Sequence, residues 1–115
     1  MKIREIVDLL NGEVLTSRNR LDTEVNSACA SDMMSDVLAY VKDQAVLITG
    51  LCNPQVIRTA EMMDMVCIVF VRGKKPDKIM LDLAESKNIV VVCSEYRMFA
   101  ASGILYEAGL KAELA

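Results

Sequence analysis

The chain has 115 residues, a formal net charge of -3 and no histidine. A chain of this length can bury one core, so we expect a single domain over residues 1–115. The missing histidine removes the usual general base, the usual zinc ligand and every Ser–His or Cys–His nucleophile pair, which excludes most hydrolase classes. The basic residues are scattered rather than gathered in a stripe, so nucleic acid is disfavoured as a partner.

The composition is rich in aliphatic residues and poor in aromatic ones. Hydrophobic residues make up 53% of the chain and the mean hydropathy is +0.30. These values are high for a free monomer, so part of the apolar surface is expected to meet a partner. The longest uncharged apolar run, residues 65–71, is too short to span a bilayer, and the mixed charges of residues 1–5 do not form a signal peptide. We therefore expect a cytoplasmic protein that does not enter membranes.

The first quarter of the chain begins with a helical pattern and ends in a turn. Apolar residues at helical spacing predict a helix over residues 2–10, and Asn11-Gly12 supplies the residue types that end one. Residues 13–17 then form a brief strand or extended segment. The polar stretch over residues 17–23 is typical of a turn.

Four apolar runs dominate the rest of the sequence. They end at Cys29, Gly50, Val71 and Cys93, at intervals of 21, 21 and 22 residues, and a helical pattern follows each one. This spacing predicts βα repeats whose strands lie parallel in one sheet. The expected fold is a three-layer α/β sandwich with a mostly parallel sheet of four or five strands. The predicted strands are Val25–Cys29, Ala45–Gly50, Met65–Val71 and Ile89–Cys93.

Capping residues divide the helical segments from the strands. The first crossover helix opens after Cys29 and runs to about Val41. In the third crossover helix the inward-facing residues are predicted to be Ile79, Met80, Leu83 and Ala84. The residues predicted to cap or begin the four crossover and C-terminal helices are, in chain order, Ser31 or Asp32, Asn53-Pro54, Pro76-Asp77 and Ser94. Gly109 is predicted to end the last helix.

The carboxyl ends of the parallel strands are the place where open α/β sheets bind ligands. The crossover loops look short, about three to five residues each, so they cannot form a lid that excludes water, and we expect a shallow site that binds without turnover. An anion such as a nucleotide phosphate fits the helix N-termini and cations there. Alternatively, these residues are ordinary caps and solvated cations. The predicted ligand-binding residues are Ser31, Asp32, Cys52, Asn53, Arg72, Gly73 and Ser94.

Two further groups of side chains fall near the same edge. Asp32 and Asp36 lie four apart and could engage a cation or a ribose hydroxyl, or could simply favour the helix dipole. Cys29, Cys52 and Cys93 lie at or just beyond strand ends, but there is no C-x-x-C spacing and no histidine, which disfavours an Fe–S cluster or other metal site. We expect reduced thiols and no cofactor. A nucleotide would need an unfamiliar loop, because Walker A and G-x-G-x-x-G sequences are absent.

The sequence from Gly12 to Leu110 resembles a known family. The likeness is carried by Ala30-Ser31-Asp32-Met33-Met34-Ser35-Asp36-Val37, Leu47-Ile48-Thr49, Gly73-Lys74-Lys75-Pro76 and Leu105-Tyr106-Glu107-Ala108-Gly109. These segments resemble the DRTGG domain, a regulatory α/β module seen fused to phosphotransacetylases and CBS-domain proteins and related to the N-terminal domain of HPr kinase/phosphorylase. The first segment is most similar to a stand-alone branch that is often encoded beside iron-only hydrogenase subunits.

The five-letter motif that names this family is largely replaced here. Its Asp-Arg would fall at Leu51-Cys52-Asn53, and its Thr-Gly-Gly would fall at Val71-Arg72-Gly73, so one glycine survives. The resemblance implies a non-catalytic regulatory or interaction module. It would be a homodimer that binds a small anionic ligand or docks on a larger, hydrogenase-type enzyme. The alternative is a nucleotide-handling sensor or enzyme related to the HPr kinase and phosphotransacetylase regulatory domains.

Overall fold

The computed structural model describes residues 1–40 and 44–111. Within them, the helices α1 to α5 are Ile3–Leu9, Met34–Tyr40, Pro54–Met62, Lys78–Ser86 and Met98–Glu107. The strands β1 to β5 are Glu13–Val14, Ser27–Ala30, Ala45–Thr49, Cys67–Phe70 and Val90–Cys93. A single 3-10 turn at Arg18–Arg20 occupies the segment that the sequence predicted as a turn.

The strands form one sheet in the order β1-β5-β4-β3-β2. The four strands β2 to β5 are parallel, and β1 pairs with β5 in the antiparallel direction. From β2 to β5, each strand therefore lies beside the preceding one, always on the same side of it. Because crossover connections between parallel strands are right-handed, all three crossover helices lie on the same face of the sheet. The predicted mostly parallel α/β sandwich is confirmed.

Two hydrophobic clusters cover the two faces of the sheet. One contains side chains of α2, α3 and α4, and the other contains side chains of α1 and α5. Consecutive strand residues alternate between the clusters; for example, Leu47 belongs to the first and Val46 to the second. Strands buried on both faces are continuous runs of apolar residues, and this is why they were conspicuous in the sequence.

Some strand bounds and one helix face differ from the prediction. Strands β2 and β4 each begin two residues later than predicted, at Ser27 and Cys67. For β2 the reason is that the Val25 amide donates to Met1 O at 2.7 Å, which ties residue 25 to the N-terminal segment. In α4, Ile79 is 72% exposed, whereas Met80 and Ala84 are buried. Residues four apart share one face of a helix, so Met80 and Ala84 occupy the inner face and Ile79 does not.

None of the helices in residues 1–40 and 44–111 is long and apolar enough to cross a membrane.

Candidate functional site at the strand-end edge

The carboxyl ends of the four parallel strands lie along one side of the sheet. We call the loops that follow them, residues 31–33, 50–53, 71–77 and 94–97, the strand-end edge. Three of these loops are as short as predicted. The loop over residues 71–77 is longer than predicted, and it carries the buried Pro76 before Asp77 caps α4 by accepting from the Met80 amide.

Asp32 joins the first loop to the second. Its Oδ1 accepts hydrogen bonds from the Gly50 amide at 2.7 Å and from Thr49 Oγ1 at 3.0 Å. Thr49 Oγ1 in turn accepts from the Leu51 amide at 3.1 Å. The Asp32 carboxylate thus accepts a charge-assisted hydrogen bond from the Gly50 amide, the first amide beyond β3.

This use of Asp32 explains why α2 starts later than predicted. The helix begins at Met34, and neither Ser31 nor Asp32 is its N-terminal cap, so that prediction was wrong. The Asp32 carboxylate binds the neighbouring loop instead, and Ser31 Oγ accepts from the Met33 amide at 2.9 Å. The predicted end of α2 at Val41 lies outside the described residues.

The third loop opens with a tight turn at Arg72 and Gly73. Both residues have positive φ, 60° and 67°, and the Lys74 amide closes the turn on Val71 O at 3.2 Å. The turn is fastened to the fourth loop, because the Arg72 amide donates to Tyr96 O at 2.8 Å and the Gly73 amide donates to Ser94 O at 2.9 Å. The backbone at residue 72 is therefore fixed on two sides.

The side chain of Arg72 reaches back to the second loop. Its Nη2 donates to Gly50 O at 3.3 Å, which is the one hydrogen bond of the guanidinium within the described residues. A guanidinium has five N–H groups, so most of its donor capacity is left for solvent or a ligand. A Cβ added to Gly50 would lie 2.5 Å from Arg72 Nη2. Glycine at this position is what allows the guanidinium to lie against the loop.

Ser94 fixes the fourth loop and does not cap α5 as predicted. The N-terminal cap position of α5 is Arg97, which makes no side-chain capping bond. Ser94 Oγ instead donates to Leu10 O at 2.9 Å and accepts from the Tyr96 amide at 3.2 Å. Ser94 is buried, so its hydroxyl is used for the internal anchoring of the loop to the end of α1.

Asn53 and Cys52 lie at the start of α3. Asn53 caps the helix as predicted, with its Oδ1 accepting from the Val56 amide at 3.3 Å. Burial raises the pKa of the Cys52 thiol, and the nearby Lys74 ammonium partly opposes that rise. Lys74 is exposed and close enough to Cys52 to act on it, so a second cation accompanies Arg72 at this part of the strand-end edge.

A small cavity of about 100 Å³ lies beside the fourth loop. Lys75 Nζ and Glu13 Oε1 form an ion pair across 2.7 Å at its wall. The hydrogen bond from Lys75 lowers the pKa of Glu13, and the same bond raises the pKa of Lys75. Because Glu13 and Glu95 both line this cavity, an anion is better placed on the Arg72 and Lys74 side.

The structure brings the predicted site residues together only in small groups. Asp32 and Arg72 meet around Gly50, and Gly73 and Ser94 meet at the small cavity. Cys52 and Asn53 lie at the start of α3, and Ser31 binds within its own loop. The predicted ligand-binding residues did not include Thr49, Gly50 or Tyr96, which connect the loops. The Thr-Gly pair at the end of a buried strand was the available indication.

The four cysteines do not gather into a metal site. Over residues 1–40 and 44–111, no group of three or more Cys, Asp or Glu side chains is close enough to hold an ion. Burial raises the pKa of Cys67 to about 12 and that of Cys93 to about 11. It also raises the pKa of Cys29, where Asp36 adds to the effect. Protonated thiols are poor metal ligands and poor nucleophiles.

We expect a thiol reagent at pH 8 to modify Cys29 and Cys52 before the other two cysteines. Cys67 and Cys93 are 0% and 5% exposed, and their raised pKa values keep them protonated at this pH. Peptide mapping after brief alkylation measures the order, and alkylation of the unfolded chain, where all four should react, is the control. Equal native reactivity of Cys67 and Cys52 would contradict the burial described here.

Comparison with known proteins was made by sequence and by structure. The family model of the DRTGG domain matches residues 5–108. The chain belongs to the DRTGG domain family. No curated protein sequence matches this DRTGG chain.

A solved structure shares the fold of this DRTGG chain. It is the crystal structure of the CBS and DRTGG domains of the regulatory region of Clostridium perfringens pyrophosphatase, complexed with the activator diadenosine tetraphosphate. The TM-score is 0.77 at 18% sequence identity, and the match covers 90% of this chain. This chain covers 45% of that structure's chain, so the relative contains a large part that has no counterpart in the match.

The turn at Arg72 and Gly73 lies where the resemblance leads us to expect the Thr-Gly-Gly of the family motif, at Val71-Arg72-Gly73. Both expected glycine positions have positive φ. Other described non-glycine residues with positive φ are Asn11, Ser17, Gln44, Asp64 and Asn88. Arg72 is the only cation in that group. Arginine therefore occupies a left-handed position that suits glycine, at a conformational cost of about 1 kcal/mol or more.

Proposed function

We propose that this single-domain chain is a non-catalytic regulatory module that binds a small anionic ligand at the strand-end edge. The observation that carries the proposal is Arg72. Its backbone has a left-handed conformation, its amide donates to Tyr96 O while the next amide, that of Gly73, donates to Ser94 O, and its guanidinium donates to Gly50 O. Unfavourable backbone conformations that are fixed by their surroundings are concentrated at functional sites.

The ligand class is a phosphorylated nucleotide. The solved relative is described with diadenosine tetraphosphate as its activator, which is a nucleotide of this class. Arg72 and Lys74 supply two cations on the β4–α4 loop, and a guanidinium pairs well with phosphate oxygens because its donors match their geometry. The internal carboxylate of Asp32 already occupies the Gly50 amide, so the phosphate would bind to the outer donors of Arg72.

A thermal-shift titration tests this proposal. Wild-type protein, Arg72→Gly, Gly50→Ala and the control Arg58→Ala are melted with diadenosine tetraphosphate, ATP, AMP or inorganic phosphate. Arg58 is an exposed arginine of α3, so its removal changes the net charge without touching the strand-end edge. A ligand at 100 times its Kd should stabilise the wild type by about 2.7 kcal/mol.

We expect Arg72→Gly to abolish the ligand-induced shift while the unliganded Tm stays close to wild type, because glycine removes the left-handed strain. Gly50→Ala should weaken the shift, since its Cβ displaces the guanidinium. Arg58→Ala should behave as wild type. If no nucleotide shifts the wild type, or if Arg72→Gly binds as well as wild type, the proposed site is wrong.

The alternative function is a nucleotide-handling enzyme, and the same samples separate it from a regulator. Phosphate release or a change in the nucleotide is measured after incubation with each variant. Turnover that Arg72→Gly abolishes would favour an enzyme. We expect none, because the chain has no histidine to act as a general base, and three of the four loops of the strand-end edge have only three or four residues with which to cover a bound ligand.

We also propose that the module is a cytoplasmic homodimer and that it regulates a larger enzyme. The described surface carries several exposed apolar side chains, and the mean hydropathy is +0.30. The family resemblance noted from the sequence makes an iron-only hydrogenase the first candidate for that enzyme. Sedimentation of the chain alone, and of the chain mixed with such a hydrogenase, tests both ideas. Independent sedimentation at micromolar concentrations would refute the docking.

A further inference from the structure

The outer face of α5 carries a stripe of apolar and small side chains. Phe99, Ser102, Gly103 and Tyr106 are spaced i, i+3, i+4 and i+7, so they share one side of the helix. Phe99 is 92% exposed and Tyr106 is 59% exposed. The opposite side of the same helix buries Ala101 and Leu105 in the core. A helix that is apolar on both sides is typically covered on both.

The stripe borders a concave surface. A depression of about 660 Å³ is lined by the four stripe residues together with Glu107 and Lys111. It adjoins a smaller one of about 190 Å³ between α5 and the small residues Ala28 and Ala30 of β2. Projecting rings thus stand beside hollows made by small side chains. This arrangement provides both the knob and the hole of a packed interface.

From this arrangement we infer that the stripe on α5 is the interface of a homodimer whose two α5 helices pack antiparallel. The inference rests on the proposed homodimer and assigns its surface. A two-fold axis between Ser102 and Gly103 brings the small residues together at the centre. It also places Phe99 of each subunit against Tyr106 of the partner subunit. The order large, small, small, large is symmetric about that axis, as an isologous interface requires.

The charges beside the stripe agree with a second copy as the occupant. The charged residues Glu107 and Lys111 lie toward one end of the stripe. The two-fold axis therefore places each of them far from the equivalent residue of the partner subunit. Lys111 Nζ lies 4.4 Å from the centre of the Tyr106 ring and covers one of its faces.

The area that a dimer would bury, and the state of the open edge of β2, also favour the stripe as the dimer interface. Four aromatic rings bury on the order of 600–800 Å², and the small residues between them bring the contact toward the roughly 1,200 Å² of specific interfaces. Sheet extension through the open edge of β2 is disfavoured, because the Ala28 amide already donates to Lys111 O at 3.2 Å. The stripe is thus the more available of the two surfaces.

Gly103→Arg provides the test. A Cβ at Gly103 meets nothing within 4 Å, and arginine is the better helix former, so the monomer should fold normally. On the axis, however, it places two guanidinium groups against each other. The matched control is Ile79→Arg, which adds the same charge to an exposed apolar position, 72% exposed, on α4 across the sheet. Phe99→Ala is a second variant that adds no charge.

Sedimentation equilibrium at micromolar concentration measures the outcome, and circular dichroism melting verifies folding. We expect about 25 kDa, twice the 12.7 kDa chain, for the wild type and Ile79→Arg. Gly103→Arg should be monomeric, and Phe99→Ala should raise the dimer Kd at least tenfold. A folded Gly103→Arg that dimerises like the wild type would overturn the inference while leaving the homodimer itself intact. A wild type that stays at 12.7 kDa would refute both.

Discussion

Replacing Thr16 by valine is expected to lower the free energy of unfolding by about 2–4 kcal/mol. Thr16 is 3% exposed, and its hydroxyl donates to Ile89 O at 2.7 Å and accepts from the Val91 amide at 2.9 Å. The hydroxyl therefore continues the pairing with β5 after β1 has ended. Valine has the same shape without the hydroxyl, so it leaves the Ile89 carbonyl and the Val91 amide without this partner.

Urea unfolding of Thr16→Val measures this loss of free energy. In thermal melting, the Tm should fall by about 10 °C. Thr23→Val is the matched control, because Thr23 is only partly buried and its hydroxyl makes no hydrogen bond within the described residues. Its stability should lie within about 0.5 kcal/mol of wild type. Thr16→Ser keeps the hydroxyl and should retain most of the stability. A stable Thr16→Val would mean that β5 does not depend on this hydroxyl.

Replacing Asp32 by alanine should both destabilise the fold and weaken ligand binding. The change leaves the Gly50 amide and the Thr49 hydroxyl without their acceptor, which we expect to cost about 1–2 kcal/mol because Asp32 is partly solvated. Gly50 O is also the group that holds Arg72 Nη2. Loosening the loop should therefore reduce the affinity for nucleotide about tenfold or more.

The control for Asp32→Ala is Asp36→Ala. Asp36 carries the same charge in the first turn of α2, four residues away, and is exposed. Thermal melting with and without nucleotide should show wild-type behaviour for Asp36→Ala and both losses for Asp32→Ala. Asp32→Asn keeps an oxygen acceptor and should fall between them. Equal effects of the two alanine variants would indicate that only net charge matters at this edge.

Side chains with a single local role were predictable at the strand-end edge. Asn53 is followed by proline at the first position of a helix, and that pair is decided by backbone geometry within one turn. Asp32 and Ser94 were expected to cap helices for the same reason. Each instead bonds to a residue that is distant in the sequence, Gly50 and Leu10 respectively. Their partners arrive only when the sheet assembles, so no local pattern could indicate them.

The layered architecture of this protein could be predicted from the pattern of its sequence. Strands that are buried on both faces must be continuous apolar runs, and parallel strands need a crossover helix between them, so the spacing of the runs was sufficient. The connected edge formed by Asp32, Gly50, Arg72 and Tyr96 is evident only in the folded chain, because these residues lie on four different loops. The same applies to the exposed stripe of α5. Its pattern is apolar all round, and the packed sheet decides which side remains uncovered.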